Sequence, residues 1–230
     1  SQTNCVVGAE VLLRWQSSEG LISPAEFIPL SEELRLIIKM TQQLLERALA
    51  DLKKWHNSGH QLYLSVNLST QHLEQPSLAE HTRSLLQKYD LPACCLRFEV
   101  TESALMRDHR SAIDTMLALS ELGIQLALDD FGTGYSSLKY LKELPIDGIK
   151  IDRSFVQDIG IDSSDETIIE AMLSMANSLG MYCVAEGVET EQQLAFFSRR
   201  QCYLIQGYLF ARPMPEQDMF AFLQQEHASL

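Results

Sequence analysis

The chain has 230 residues, 46% of them hydrophobic, with a net charge of −13 and a pI of about 4.8. That is enough apolar material for one full core, in a single barrel or one to two smaller domains. The acidity argues against long DNA or RNA as a partner, because those are held by Lys and Arg neutralising phosphates; it admits a small phosphorylated ligand held through cations.

No apolar run approaches the ~18–20 residues that span a membrane. The N-terminal residues lack the basic start and apolar run of a secretion signal. With no low-complexity tract, linker or repeat, the sequence reads as one domain over residues 1–230. The five cysteines (Cys5, Cys94, Cys95, Cys183, Cys202) are odd in number and form no CxxC. All but Cys5 sit in apolar strand-like runs, so they read as buried free thiols of a reducing cytoplasm.

Strand and helix alternate along the chain. A strand over Val6–Trp15 precedes a helix over Ser31–His56, closed by Gly59. Leu62–Asn67 leads to a helix over Ser77–Tyr89, opened by Pro76-Ser77. Leu96–Thr101 leads to Arg107–Leu122, closed by Gly123, and Ile124–Asp130 leads to Ser136–Leu144. Gly148–Asp152 is followed by a helix over Asp165–Leu179, closed by Gly180. Met181–Glu186 precedes Glu191–Ser198, which Thr190 and Gln193 cap. Tyr203–Tyr208 and a helix over Glu216–Gln225 end the series. Such alternation implies parallel pairing through crossovers. Seven strand–helix pairs are one short of a closed barrel. The expectation is therefore an α/β, TIM-like (β/α)8 barrel, either incomplete here or with its first strand ahead of residue 1. The alternative, an open doubly wound sheet, usually carries a Gly-rich phosphate turn at its first strand, and none stands there.

Every strand ends on polar residues: Glu10 with Arg14, Asn67, Glu99 with Glu102, Asp129-Asp130, Lys150 with Asp152, Glu186 with Glu189, and Gln206. Barrel strands converge their C-terminal ends on the face that carries active sites. Of the carboxylates there, the five that would aim at one pocket (Glu10, Glu99, Asp129, Asp130, Glu186) repel one another unless cations intervene. All donors are oxygens and no histidine lies at a strand end, which favours Mg2+ or Mn2+ over zinc. Room for two ions is the arrangement used on phosphodiesters. Consecutive strand residues face opposite ways, so Asp129 and Asp130 share a pocket only if the strand curls there. By the period of two, Glu10, Leu12 and Arg14 share one face, with Arg14 near the mouth. Lys150, between Ile149 and Ile151, needs a carboxylate or phosphate partner.

The segments Glu10-Val11-Leu12-Leu13-Arg14-Trp15, Ser65-Val66-Asn67-Leu68-Ser69 and Glu99-Val100-Thr101-Glu102 resemble the EAL family of cyclic di-GMP phosphodiesterases. So, in order, do residues 129–138, Ile149-Lys150-Ile151-Asp152, Glu186-Gly187-Val188-Glu189-Thr190 and Gln206-Gly207-Tyr208. The resemblance implies that Glu10, Asn67, Glu99 and Asp129 hold one ion. Asp129 would bridge to a second, also served by Asp130 and Glu186, both ions being Mg2+ or Mn2+. Glu186 would be the general base, Lys150 would orient the attacking water, and Glu102 would anchor the loop Asp130–Leu138. Arg14 would contact the substrate phosphate, with Leu12, Gln206 and Asp152 also at the substrate. The implied reaction opens cyclic di-GMP to linear pGpG. The implied setting is a homodimer within a longer signalling protein, as a cytoplasmic domain. The signature departs in one place, E-V-L for E-A-L, with Val11 one position off the Glu10 face. A catalytically inactive EAL-type receptor for cyclic di-GMP is the other reading; here every ligand position is filled.

Overall fold

The computed structural model describes residues 5–105, 109–134 and 138–227. Arg107, Ser136 and Ser137, where the sequence placed helix starts and a loop, lie outside the described residues. The described elements fall into two compact units.

The first unit spans Val6–Val100 and Ala104–Ile124. Strand β1 (Gly8–Val11) is followed by an antiparallel hairpin, β2 (Trp15–Ser17) and β3 (Gly20–Ile22). Helices α1 (Pro24–Glu33) and α2 (Ile37–Asn57) lead to β4 (Tyr63–Leu68). Then come α3 (Thr70–Leu73), α4 (Leu78–Lys88), β5 (Leu96–Thr101), α5 (Glu102–Leu105) and α6 (His109–Glu121), with Thr101–Ser103 at the β5–α5 junction counted in the second unit. β4 pairs in parallel with β1 on one side and β5 on the other. Helix α2 buries Thr41, Leu45, Leu49, Leu52 and Trp55, a stripe at three- and four-residue spacing, while its charged residues face out.

The second unit holds Gln125–Leu230 with Thr101–Ser103. Its elements are β6 (Gln125–Phe131), α7 (Leu138–Glu143), β7 (Gly148–Ile151), α8 (Arg153–Gln157), α9 (Ser163–Ser178), β8 (Tyr182–Ala185), α10 (Glu191–Arg199), β9 (Leu204–Ile205) and α11 (Glu216–His227). The four strands pair in parallel in the order β6-β7-β8-β9. Thr190 and Gln193 form the expected capping box on α10. Among the described residues, no helix is long and apolar enough to cross a membrane.

The parallel α/β pattern appears as the sequence implied, with seven parallel strands among the described residues. Three expectations are corrected. The strand expected over Val6–Trp15 stops at Val11, because the chain turns away into the β2–β3 hairpin. Leu12 and Arg14 therefore do not extend the Glu10 face. The helix expected over Ser31–His56 is two helices. Between them Arg35 takes φ 55, with Leu36 N–H donating to the Ser31 carbonyl (2.7 Å) and Arg35 N–H to that of Glu32 (3.0 Å). This is a Schellman stop with arginine where glycine is usual. Finally, Cys94 is exposed, whereas Cys95 and Cys202 are buried as free thiols. Burial pushes the Cys95 thiol up to about 11 and that of Cys202 to about 12.

Candidate metal centre

In the first unit three neighbouring strands carry Glu10, Asn67 and Glu99. Asn67 stands opposite Glu99 in the β4–β5 register, and Glu10 lies on β1 opposite Ser65. Asn67 and Ser65 share a face of β4 by the period of two, so the amide stands diagonally beside Glu10. Asn67 Nδ2 donates to Glu10 Oε1 at 2.7 Å. Glu99 is 4% exposed. Arg14, in the segment between β1 and β2, is exposed and donates from Nη1 to the Leu13 carbonyl at 2.8 Å.

In the second unit the Asp129-Asp130 pair sits in a strand irregularity. Leu128 pairs with Ile149 and Phe131 with Ile151, so β6 spends one more residue than β7 over this step. The extra residue is taken up where Asp130 adopts φ 53. That curl breaks the alternation of the strand, as the shared pocket requires. Carboxylate oxygens of Asp129, Asp130 and Glu186 consequently lie within 4.8 Å of one another. Asp130 N–H donates to Asp129 Oδ1 at 3.1 Å.

Lys150 reaches this cluster from β7. Its Nζ is 3.2 Å from Asp129 Oδ1 and 2.7 Å from Glu186 Oε1, and the lysine is 2% exposed. The sequence left the lysine's partner open between a carboxylate and a phosphate; the structure supplies two carboxylates, Asp129 and Glu186. Glu186 follows β8 directly, its N–H donating to the Ile151 carbonyl at 3.1 Å, which fixes its backbone against β7. The all-oxygen donor set of the three carboxylates suits a hard divalent ion.

Gln206 follows β9, tied through its N–H to the Ala185 carbonyl at 2.8 Å. A Cβ on Gly207 would lie 2.0 Å from the Val188 carbonyl oxygen, so only glycine lets the chain pass there. The Asp152 carboxylate caps α8, accepting from Ser154 N–H at 2.9 Å. Glu102 opens α5, is 7% exposed, and neither carboxylate oxygen has a hydrogen-bond partner among the described residues. It lies under the loop after Asp130: a Cβ on Gly134 would stand 2.9 Å from the Glu102 carboxyl carbon. Sequence reasoning missed the Asn67–Glu10 bond and the cap formed by Asp152. The first depends on strand register, while the Asp-x-Ser spacing was a readable cap signal.

Comparison with known proteins places these residues in a family. A family model described as the EAL domain matches residues 1–213. The chain is 45% identical over 217 residues to Pseudomonas aeruginosa cyclic di-GMP phosphodiesterase NbdA, covering 94% of this chain and 28% of the relative. It is 40% identical over 218 residues to MucR of the same organism, a bifunctional diguanylate cyclase/cyclic di-GMP phosphodiesterase, covering 94% of this chain and 32% of that one. The chain thus spans about a third of the length of these curated relatives. Among solved structures, the PaMucR phosphodiesterase in complex with c-di-GMP is 39% identical, with a TM-score of 0.89 over 94% of this chain and 89% of that one. The Pseudomonas aeruginosa FimX EAL domain bound to c-di-GMP is 28% identical, with a TM-score of 0.79 over 87% of this chain and 81% of the other. The fold class is accordingly the TIM-like (β/α)8 type of these structures.

Proposed function

The chain belongs to the EAL domain family, and on that premise we propose that it is a metal-dependent phosphodiesterase opening cyclic di-GMP to linear pGpG. The observation that carries this reading is the second unit's cluster: three carboxylates within 4.8 Å, gathered by a strand bulge and bridged by a buried lysine.

Each unit offers oxygen donors suited to divalent ions. In the first they are Glu10, Asn67 and Glu99, where the Asn67 N–H on Glu10 leaves the amide oxygen as the donor for a cation. In the second they are Asp129, Asp130 and Glu186. Two Mg2+ or Mn2+ ions would neutralise charge developing on the phosphodiester and acidify a water. Glu186 takes the proton from the attacking water. Lys150 holds the Glu186 carboxylate in place and, with Asp129, sets the direction of attack. Glu102 props the loop that begins at Asp130. Arg14, Leu12, Gln206 and Asp152 serve the substrate; Arg14 must leave its Leu13 contact to fork onto a phosphate. The same reading gives a homodimer, which sedimentation of the purified chain measures.

The test is to incubate the chain with cyclic di-GMP, with and without Mg2+ or Mn2+, and to separate the products. Metal-dependent release of pGpG is expected. Val11 in place of the signature alanine favours the competing reading, a receptor. Tight binding without turnover in either metal would select it.

A further inference from the structure

A second feature of the first unit has no part in that chemistry. Helices α2, α3 and α4 enclose a cavity against β4 and β5, lined by Thr41, Leu45, Leu68, His72, His81 and Phe98 among others. Leu68 and Phe98 adjoin Asn67 and Glu99 in sequence, so the cavity lies on the opposite face of the same strands. Its volume is about 10 Å3, near what one water molecule needs.

Two of the residues lining this space are histidines. His72 Nε2 and His81 Nε2 are both buried with no hydrogen-bond partner among the described residues, and His72 is 1% exposed. The tautomer of His72 follows from its other nitrogen. The Ser69 backbone N–H donates to His72 Nδ1 at 3.0 Å, and Ser69 Oγ stands 2.8 Å from the same atom. A backbone amide only donates, so Nδ1 carries the lone pair and the neutral ring holds its proton on Nε2. His72 Nε2 therefore carries an N–H and has no lone pair for a metal ion. The Ile37 carbonyl lies near the ring and favours its protonation, without meeting hydrogen-bond geometry to Nε2.

We propose that this cavity is a binding site for a single structural water, which accepts the His72 Nε2–H and bridges it to His81 Nε2. Water donates and accepts, so it serves either tautomer of His81. Its remaining hydrogen is left for the polar part of the lining, Thr41, Gln42, Gln75 and Ser77. The bridge joins α3 to α4 behind the strand ends and satisfies two groups whose burial is otherwise unfavourable.

A crystal structure of the full chain at high resolution tests this without reference to activity, so its outcome is separate from the functional reading. The expected result is one ordered peak about 2.7–3.2 Å from both Nε2 atoms. A dry cavity, or a direct His72 Nε2–H bond to the Ile37 carbonyl, overturns the proposal. An anomalous peak there after a bromide soak would assign an anion and also overturn it. Nitrogen NMR of the same chain at neutral pH should place the His72 proton on Nε2; a proton on Nδ1 removes the donor on which the site depends. In His81→Phe the peak should vanish, and a water kept in place by that variant would contradict the bridge.

Discussion

Lys150 Nζ stands 2.7 Å from Glu186 Oε1, and the lysine that makes this pair is almost wholly buried. Its second contact, at 3.2 Å, goes to Asp129. One ammonium thus holds two acidic groups, one on β6 and one just after β8. Removing one member of a buried pair leaves charge uncompensated and costs about 3 kcal/mol. Lys150→Met should therefore lower unfolding stability by about that amount in metal-free buffer, and added Mn2+ should restore part of it. Urea titrations with and without the ion measure both effects. Unchanged stability would mean that the lysine does not neutralise the cluster.

Asp130 sits at φ 53, where a non-glycine residue is strained by about 1–2 kcal/mol. Strain at such a position persists when function requires it. Asp130→Gly should relieve the backbone and raise stability, offset in part by roughly 0.4–1 kcal/mol of added chain entropy. The same change deletes a cluster carboxylate, so turnover of cyclic di-GMP should fall by roughly 100-fold or more. Stability and turnover moving in opposite directions is the signature sought; a stable variant with full turnover would remove Asp130 from the site.

A Cβ on Gly134 would stand 2.9 Å from the Glu102 carboxyl carbon, so the loop or the carboxylate must give way to a side chain there. Gly134→Ala should displace the loop from the buried carboxylate and lower turnover, while the melting temperature moves little because the loop is exposed at Gly134. Glu102→Ala in the same background should not lower turnover much further, since the two changes break one contact. Full additivity in the double-mutant cycle would argue against the link.

Arg35 offers a control remote from the chemistry. Its φ of 55 closes α1 in a Schellman turn. Arg35→Gly removes a penalty of about 1–2 kcal/mol and adds roughly 0.4–1 kcal/mol of unfolded-chain entropy, for a net gain of about half to one kcal/mol. Thermal unfolding should register the gain with turnover unchanged. A loss of stability would show that the arginine side chain contributes more than its backbone strain.

Burial pushes His72 down to about 4 from the ordinary 6.5, against smaller contributions from the Ile37 and Ser69 backbones. The unfolded chain therefore takes up a proton near pH 6.5 that the folded chain refuses until about pH 4. Stability is fully present above pH 6.5 and declines as pH falls toward 4. Between about pH 7.5 and about pH 5 the loss attributable to this ring is roughly 2 kcal/mol. His72→Gln keeps an acceptor for the Ser69 N–H at the position where a capping box favours glutamine, and should lose that part of the pH dependence. Denaturant midpoints of both proteins across this range decide it; parallel curves would show that His72 does not titrate as described.

Much of this molecule was legible in the chain. The alternation of apolar strands and amphipathic helices is local and periodic, so it marks parallel α/β units directly. Helix stops at Gly59, Gly123 and Gly180 were readable because each glycine takes a positive φ that other residues resist. The stop at Arg35 was hidden: its geometry is the same, but nothing in the side chain announces it. Apolar residues run on through Leu34, Leu36 and Ile37, and periodicity alone joins α1 to α2. The hairpin after Val11 was missed for a related reason, since Leu12, Leu13 and Trp15 read as more strand until Trp15 is seen paired with Ile22.

By itself the sequence determined which residue types stand at the strand ends, because strand period and turn chemistry act over a few neighbours. It also carried the requirement that β6 curl if Asp129 and Asp130 are to act together. Only the tertiary structure decided where the curl falls, that Lys150 binds Asp129 and Glu186, and that Asn67 leans on Glu10. Those facts depend on register between strands distant along the chain, and register is set by packing across the whole sheet, beyond the reach of any local pattern.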